Sequence, residues 1–92
     1  MMNDTDTLIP PATFEFLVMS IKMQAEMYMG LLHFGEESER PEPNLPMASH
    51  FIDTLGILAE KTNGNLSMEE KRLLENSLTE LRFRFVQESE KK

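Results

Sequence analysis

The chain has 92 residues and a mass of 10.6 kDa, which is enough for one small domain with a single hydrophobic core. It carries nine basic and sixteen acidic residues, and the resulting net charge of −7 argues against general nucleic-acid binding, which requires a cationic surface. Because cysteine is absent, disulfide scaffolds and thiolate metal or redox sites are excluded.

The first thirteen residues, MMNDTDTLIPPAT, contain two aspartates and no lysine or arginine, whereas a secretory signal peptide begins with basic residues. We therefore expect a disordered N-terminal tail over residues 1–13 and a cytoplasmic protein.

The following apolar stretch, residues 14–34, has about the length of a bilayer span. It contains Glu15, Lys22 and Glu26, whose burial in lipid is costly, so we expect no membrane span.

The first predicted helix covers about residues 14–33. Thr13 is a suitable N-cap for it, and Gly35 is a suitable left-handed residue after its end. The segment GEESERPEPN, residues 35–44, carries four glutamates against one arginine and contains two prolines, which prevent a helix from continuing. It is predicted to be an exposed acidic loop.

The second predicted helix covers about residues 45–62, with Asn44 as its N-cap and Asn63-Gly64 as the turn that follows it. Apolar residues recur at intervals of three and four and so form one helix face. These residues are Ala48, Phe51, Ile52, Leu55, Leu58 and Ala59.

The third predicted helix covers about residues 68–88 and has the clearest start, because Ser67 and Glu70 match a capping box. Leucine and phenylalanine then recur with the spacing of a packed seam, at Leu74, Leu78, Leu81 and Phe85. Since only a short turn joins the second and third helices, they should form an antiparallel hairpin. Residues 89–92 are expected to be a frayed tail, which gives a single helical domain over residues 14–88.

The first helix is apolar around most of its circumference, since fourteen of the twenty-one residues from 14 to 34 are apolar. Its polar residues Glu15, Lys22, Glu26 and His33 fall in one narrow stripe. Leaving roughly 400 Å² of this surface in water would cost on the order of 10 kcal/mol, which is comparable with the stability of a whole domain. The pattern therefore predicts an all-α, three-helix protomer in a dimeric helical bundle.

The assembly is expected to be a homodimer or a larger even oligomer in which the first helices meet near a two-fold axis. The candidate interface residues are Phe14, Leu17, Val18, Met19, Ile21, Met23, Met27, Tyr28 and Leu31. The methionines, four residues apart, leave a second interpretation open, because flexible thioether side chains also suit a groove for an unknown protein partner.

The second half of the chain carries two connected motifs, DTLGILAEKTNGNL and EEKRLLENSLTELR, within residues 52–86. Together with the aromatic-rich first helix and the acidic, proline-containing loop, they resemble the small bacterial family called domain of unknown function 1844. The resemblance covers about residues 14–87. It implies the three-helix fold, and because the family has no assigned activity it implies no catalytic or binding residues.

Few residues have the type and spacing that a catalytic or ligand-binding site requires. His50 and Asp53 are three apart and share a helix face, and with acidic residues of the first helix they are weak candidates for a ligand or metal site. The sequence lacks the Glu-x-x-His motif of di-iron bundles and any glycine-rich phosphate loop. We therefore expect no enzyme activity, no cofactor and no functional metal.

These observations predict a non-enzymatic, self-associating protein-interaction module. The alternative is a helical protein that binds a small ligand or a metal in a pocket between helices, with His50 and Asp53 among the binding residues.

Overall fold

The computed structural model describes residues 9–32 and 42–91, and these residues form three α-helices that all pack on one another. Helix α1 spans Phe14–Tyr28, α2 spans Leu45–Lys61 and α3 spans Met68–Glu90. No strand occurs within the described ranges, so the all-α prediction is confirmed. Association of two such protomers into a bundle stays a prediction.

Each helix begins at the residue that its capping pattern predicts. The side-chain oxygens of Thr13, Asn44 and Ser67 accept backbone N–H groups at 3.0, 3.2 and 3.1 Å. At α3 the capping box is complete, because the Glu70 carboxylate also accepts the backbone N–H of Ser67 at 2.8 Å. These bonds satisfy N–H groups that have no partner within a helix, and they therefore define where each helix starts.

The end of α1 differs from the prediction: the helix stops at Tyr28, five residues before the expected end at residue 33. Gly30 adopts a φ of +78°, a conformation that favours glycine. Its N–H donates to the Met27 carbonyl at 3.0 Å, and the Leu31 N–H donates to the Glu26 carbonyl at 3.0 Å. This pair of bonds is a Schellman motif, which ends the helix inside the apolar stretch.

The residue predicted to end the helix was Gly35. Gly35 lies outside the described residues, as do His33 and most of the predicted acidic loop. At the other helix ends the differences are small. Helix α2 ends one residue early, at Lys61, and α3 extends two residues past its predicted end, to Glu90. The α3 helix thus includes part of the segment that was predicted to be frayed.

The core lies where the three helices meet. Its buried apolar side chains come from every helix, and they are Val18, Ala25, Met29, Ala48, Ile52, Leu55, Leu74, Leu78 and Leu81. The predicted seam of α3 is therefore buried, with Phe85 packed at its edge. Ser77 is also buried, and together with Ala25 and Ala48 it contributes small side chains to this closely packed interior.

Two contacts fix α1 relative to the other helices. At its carboxyl end, the Tyr28 ring stacks on the Phe51 ring of α2 with a centroid distance of 5.6 Å, and the Tyr28 carbonyl accepts the Asn44 N–H at 2.6 Å. Midway along the helix, the Lys22 ammonium lies 3.0 Å from the Glu80 carboxylate of α3. The side of α1 that carries Lys22 therefore borders α3.

Candidate functional site

One face of α1 is left uncovered by the rest of the protomer. We call the row formed by Phe16, Met19, Met23 and Met27 the outer face; these side chains are 48%, 41%, 54% and 49% exposed. At about 100° per residue they lie within about 50° of one line along the helix. Val18 lies on the opposite side of α1, where it is completely buried by the hairpin.

The outer face is large for a chain of this size. It extends over eleven residue steps, a length of about 17 Å, and it exposes roughly 400 Å² of apolar area. On soluble monomers, apolar patches of this size mark interaction sites more often than ordinary surface.

Polar side chains border the outer face on both sides. Ser20 and Gln24 lie along one border, and the Gln24 amide donates to the Ser20 carbonyl of its own helix at 3.4 Å. Glu15 and Glu26 lie along the other border. No charged side chain interrupts the apolar row itself, and an apolar centre with a polar rim is typical of protein–protein interfaces.

The structure divides the nine predicted interface residues between the two sides of α1. Leu17, Met19, Met23 and Met27 are exposed and remain available to a second chain. Val18 is completely buried in the protomer, so it is not available, and four residues are partly buried against the core: Phe14, Ile21, Tyr28 and Leu31. The composition of an almost uniformly apolar helix does not reveal which side its own hairpin covers.

Phe16 is absent from the candidate interface residues predicted from the sequence, although its side chain is part of the outer face. Its spacing of three, seven and eleven residues from the methionines is the signal that identifies it, because those intervals return to the same side of a helix.

The cleft that Asp53 lines does not include His50, the second weak ligand-site candidate. Asp53 lines a cleft of about 220 Å³ between α2 and α3, together with Arg82 and Val86. His50 is not part of this lining; it is exposed, and its ring meets the Phe51 ring edge-on at a centroid distance of 5.2 Å. Within residues 9–32 and 42–91, no three histidine, aspartate or glutamate side chains gather to hold a metal ion.

A second cleft, of about 350 Å³, lies at the turn between α2 and α3. The polar side chains that line it are Asn63, Ser67, Lys71 and Glu75, and all four are exposed. A small-molecule site normally combines an enclosed apolar wall with a few convergent polar groups. The alternative prediction of a ligand pocket that contains both His50 and Asp53 gains no support from either cleft.

The apolar stretch that contains α1 was predicted not to span a membrane. Among the helices that the structure describes, none is both long enough and apolar enough to cross a bilayer.

Comparison with known proteins gives one match. Residues 11–87 match the model of a family described as Domain of unknown function (DUF1844). This range includes all of α1 and α2 and most of α3. No curated protein and no solved structure matches the chain.

Proposed function

The chain belongs to the DUF1844 family, whose description assigns no activity, and we propose that it is a non-enzymatic, self-associating protein-interaction module of the cytoplasm. Its interaction surface is the outer face of α1. The observation that carries this proposal is the row of four large apolar side chains, 41–54% exposed, on a helix whose opposite side is buried.

The area of the outer face supports association. When two copies pair through this surface, they remove roughly 800 Å² of apolar area from water, and the polar borders add to it. The total then approaches about 1,000–1,200 Å², which meets the minimum of about 1,000 Å² for a biological protein–protein interface. The hairpin of the same protomer does not supply this cover, since α2 and α3 lie against the buried side of α1.

The chemistry of the outer face favours a second copy of the same chain. A two-fold interface brings the same patch of both subunits together, so that patch must be compatible with itself. The outer face meets this requirement because it contains no charged side chain, which would be repelled by the same residue of the second subunit. The unbranched methionine side chains also adjust their shape to fill the space between two helices.

Substitution of one residue at the centre of the outer face tests the proposal. Size-exclusion chromatography with light scattering at micromolar concentration should give twice the 10.6 kDa mass for the wild type. Met23→Asp should give the single-chain mass, because two aspartates would lie near each other in a desolvated interface. Its circular dichroism should match the wild type, since Met23 is exposed within the protomer.

Ile57→Asp is the matched control, because Ile57 is a similarly exposed apolar residue on α2, away from the outer face. This variant should remain dimeric. A wild-type chain that keeps the single-chain mass throughout the micromolar range would contradict self-association. If Met23→Asp and Ile57→Asp dissociated equally, the interface would not be the outer face of α1.

A further inference from the structure

We infer that peroxide regulates the pairing of the outer faces: oxidation of Met19, Met23 and Met27 to sulfoxides separates the two copies, and reduction restores the pair. This inference rests on the proposed self-association and adds the regulation of the same surface. It follows from which residues of the chain contain sulfur, how exposed they are, and which polar groups lie near them.

All the sulfur in the chain belongs to methionine, since eight methionines and no cysteine are present. Thiolates, the side chains most susceptible to peroxide, therefore do not compete for the oxidant. Three of the four residues of the outer face are methionines, whereas only one of the nine buried apolar core residues is. Oxidisable side chains are thus concentrated on the surface that is proposed to pair.

Exposure separates these methionines from the methionine of the core. Met19, Met23 and Met27 are each about half exposed in the protomer, whereas Met29 is completely buried. Peroxide therefore reaches the three outer-face side chains in the folded protomer, while oxidation of Met29 requires the core to open. The reaction is confined to side chains that contribute little to the packing of the protomer itself.

The reaction at each side chain requires only a peroxide as oxidant. With hydrogen peroxide, a lone pair of the thioether sulfur attacks one oxygen, the O–O bond breaks, and a sulfoxide and one water molecule form. The sulfur loses two electrons and the peroxide gains them. A flexible apolar side chain thereby becomes a polar one with a new hydrogen-bond acceptor.

The outer face contains no donor for the new sulfoxide oxygen. Its four side chains have no N–H or O–H group, and the Ser20 hydroxyl and the Gln24 amide lie along one border only. A sulfoxide between two outer faces would lose its hydrogen bonds to water without replacement, and this cost opposes burial. In separated copies, the same oxygen stays hydrated.

Separation of the copies also makes the change reversible. The sulfoxides of a separated copy lie on the exposed side of α1, where methionine sulfoxide reductases can bind them and regenerate the thioethers. In the pair, the unoxidised side chains are covered. Association and oxidation therefore oppose each other by mass action.

Limited treatment of the full chain with hydrogen peroxide tests this response. Peptide mass spectrometry first verifies that Met19, Met23 and Met27 each carry one added oxygen and that Met29 carries none. Light scattering over a dilution series should then give a dimer dissociation constant at least about tenfold higher than before, with an unchanged circular dichroism spectrum. Methionine sulfoxide reductases should restore the original constant. An unchanged constant in the oxidised chain would overturn the inference.

A leucine variant is the matched control. Met19→Leu, Met23→Leu and Met27→Leu in one chain preserve apolar volume, so this triple variant should stay dimeric before and after peroxide. Its other methionines, which include the exposed Met68, are still oxidised. If the oxidised triple variant dissociated as the oxidised wild type does, the effect would come from another methionine and the inference would be wrong.

The rate of oxidation gives a second readout, for which no variant is needed. The outer-face methionines should react more slowly in concentrated protein, where copies are paired, than in dilute protein, whereas Met68 on α3 should react equally fast in both. Equal outer-face rates in a chain that light scattering shows to be dimeric would overturn the inference. A wild type that is monomeric before oxidation would instead contradict self-association itself, so the two failures are distinguishable.

Discussion

The two sides of α1 resemble each other in composition but differ completely in their surroundings. Val18 and the C-cap residue Met29, which directly follows Tyr28 on the same side, are fully buried, whereas Met19, Met23 and Met27 remain about half exposed. Methionine occurs on both sides, so residue type alone does not separate them. The sequence of an apolar helix therefore indicates how much of its surface must be buried. The position of the neighbouring helices decides which side is buried within the protomer.

The largest expected difference between the two sides comes from one substitution made on each. Met29→Ala should lower the free energy of unfolding by about 2–5 kcal/mol, because it leaves a cavity in a fully buried position. Met23→Ala should change the stability of the monomer by less than about 0.5 kcal/mol, since its side chain is exposed. Urea unfolding of dilute samples, followed by circular dichroism, measures both. Similar losses for the two variants would contradict the division of α1 into a buried and an exposed side.

A smaller effect is expected at the residue that ends α1. Gly30→Ala should destabilise the protein by about 1–2 kcal/mol, because alanine is strained at a φ of +78°. Gly56→Ala is the control with the opposite sign. A methyl group at Gly56 would meet the Arg82 Nη2 atom at 3.5 Å, an ordinary contact, and alanine has the better helix propensity by about 1 kcal/mol.

Thermal unfolding of these two variants should therefore shift the midpoint in opposite directions. Destabilisation by Gly56→Ala would mean that close approach of α3 requires a glycine at that position. An unchanged midpoint for Gly30→Ala would mean that the Schellman motif does not determine the end of α1.

The smallest effect is expected where α1 borders α3. The Lys22 side chain is 17% exposed and its partner Glu80 is 45% exposed, so solvent screens their ion pair. A double-mutant cycle with Lys22→Met and Glu80→Gln should give a coupling energy of about 0.2–1 kcal/mol that decreases as salt is added. A coupling energy near zero would show that Lys22 stabilises α1 through its alkyl chain and not through its charge.

The starts of the three helices were predictable because each depends on residues within one turn. Thr13, Asn44 and Ser67 accept N–H groups from residues three positions later, so the pattern is present in a short segment of sequence. The end of α1 was also encoded locally, by Gly30 followed by an apolar residue, but the apolar stretch continues to residue 34 and made Gly35 the more plausible end.

The candidate site was predictable only in part. The sequence placed the candidate interface on the first helix and included three of the four residues of the outer face. It also included Val18, which is buried, and it left out Phe16, which is exposed. The candidate residues and the exposed row differ because fourteen apolar residues distributed around one helix give no preferred direction, so periodicity does not identify the uncovered side.

By itself, the sequence determined that the described part of the chain forms three helices, where each begins, and which residues of α3 form its buried seam. Those properties depend on hydrogen bonds and periodicities among residues a few positions apart. Only the tertiary structure decided that α1 turns its methionine row away from the hairpin, that Lys22 reaches Glu80, and that His50 stays out of the cleft lined by Asp53. These outcomes depend on contacts between residues far apart in the chain. Local patterns allow several arrangements of the three helices, and the close packing of large and small side chains between them selects one.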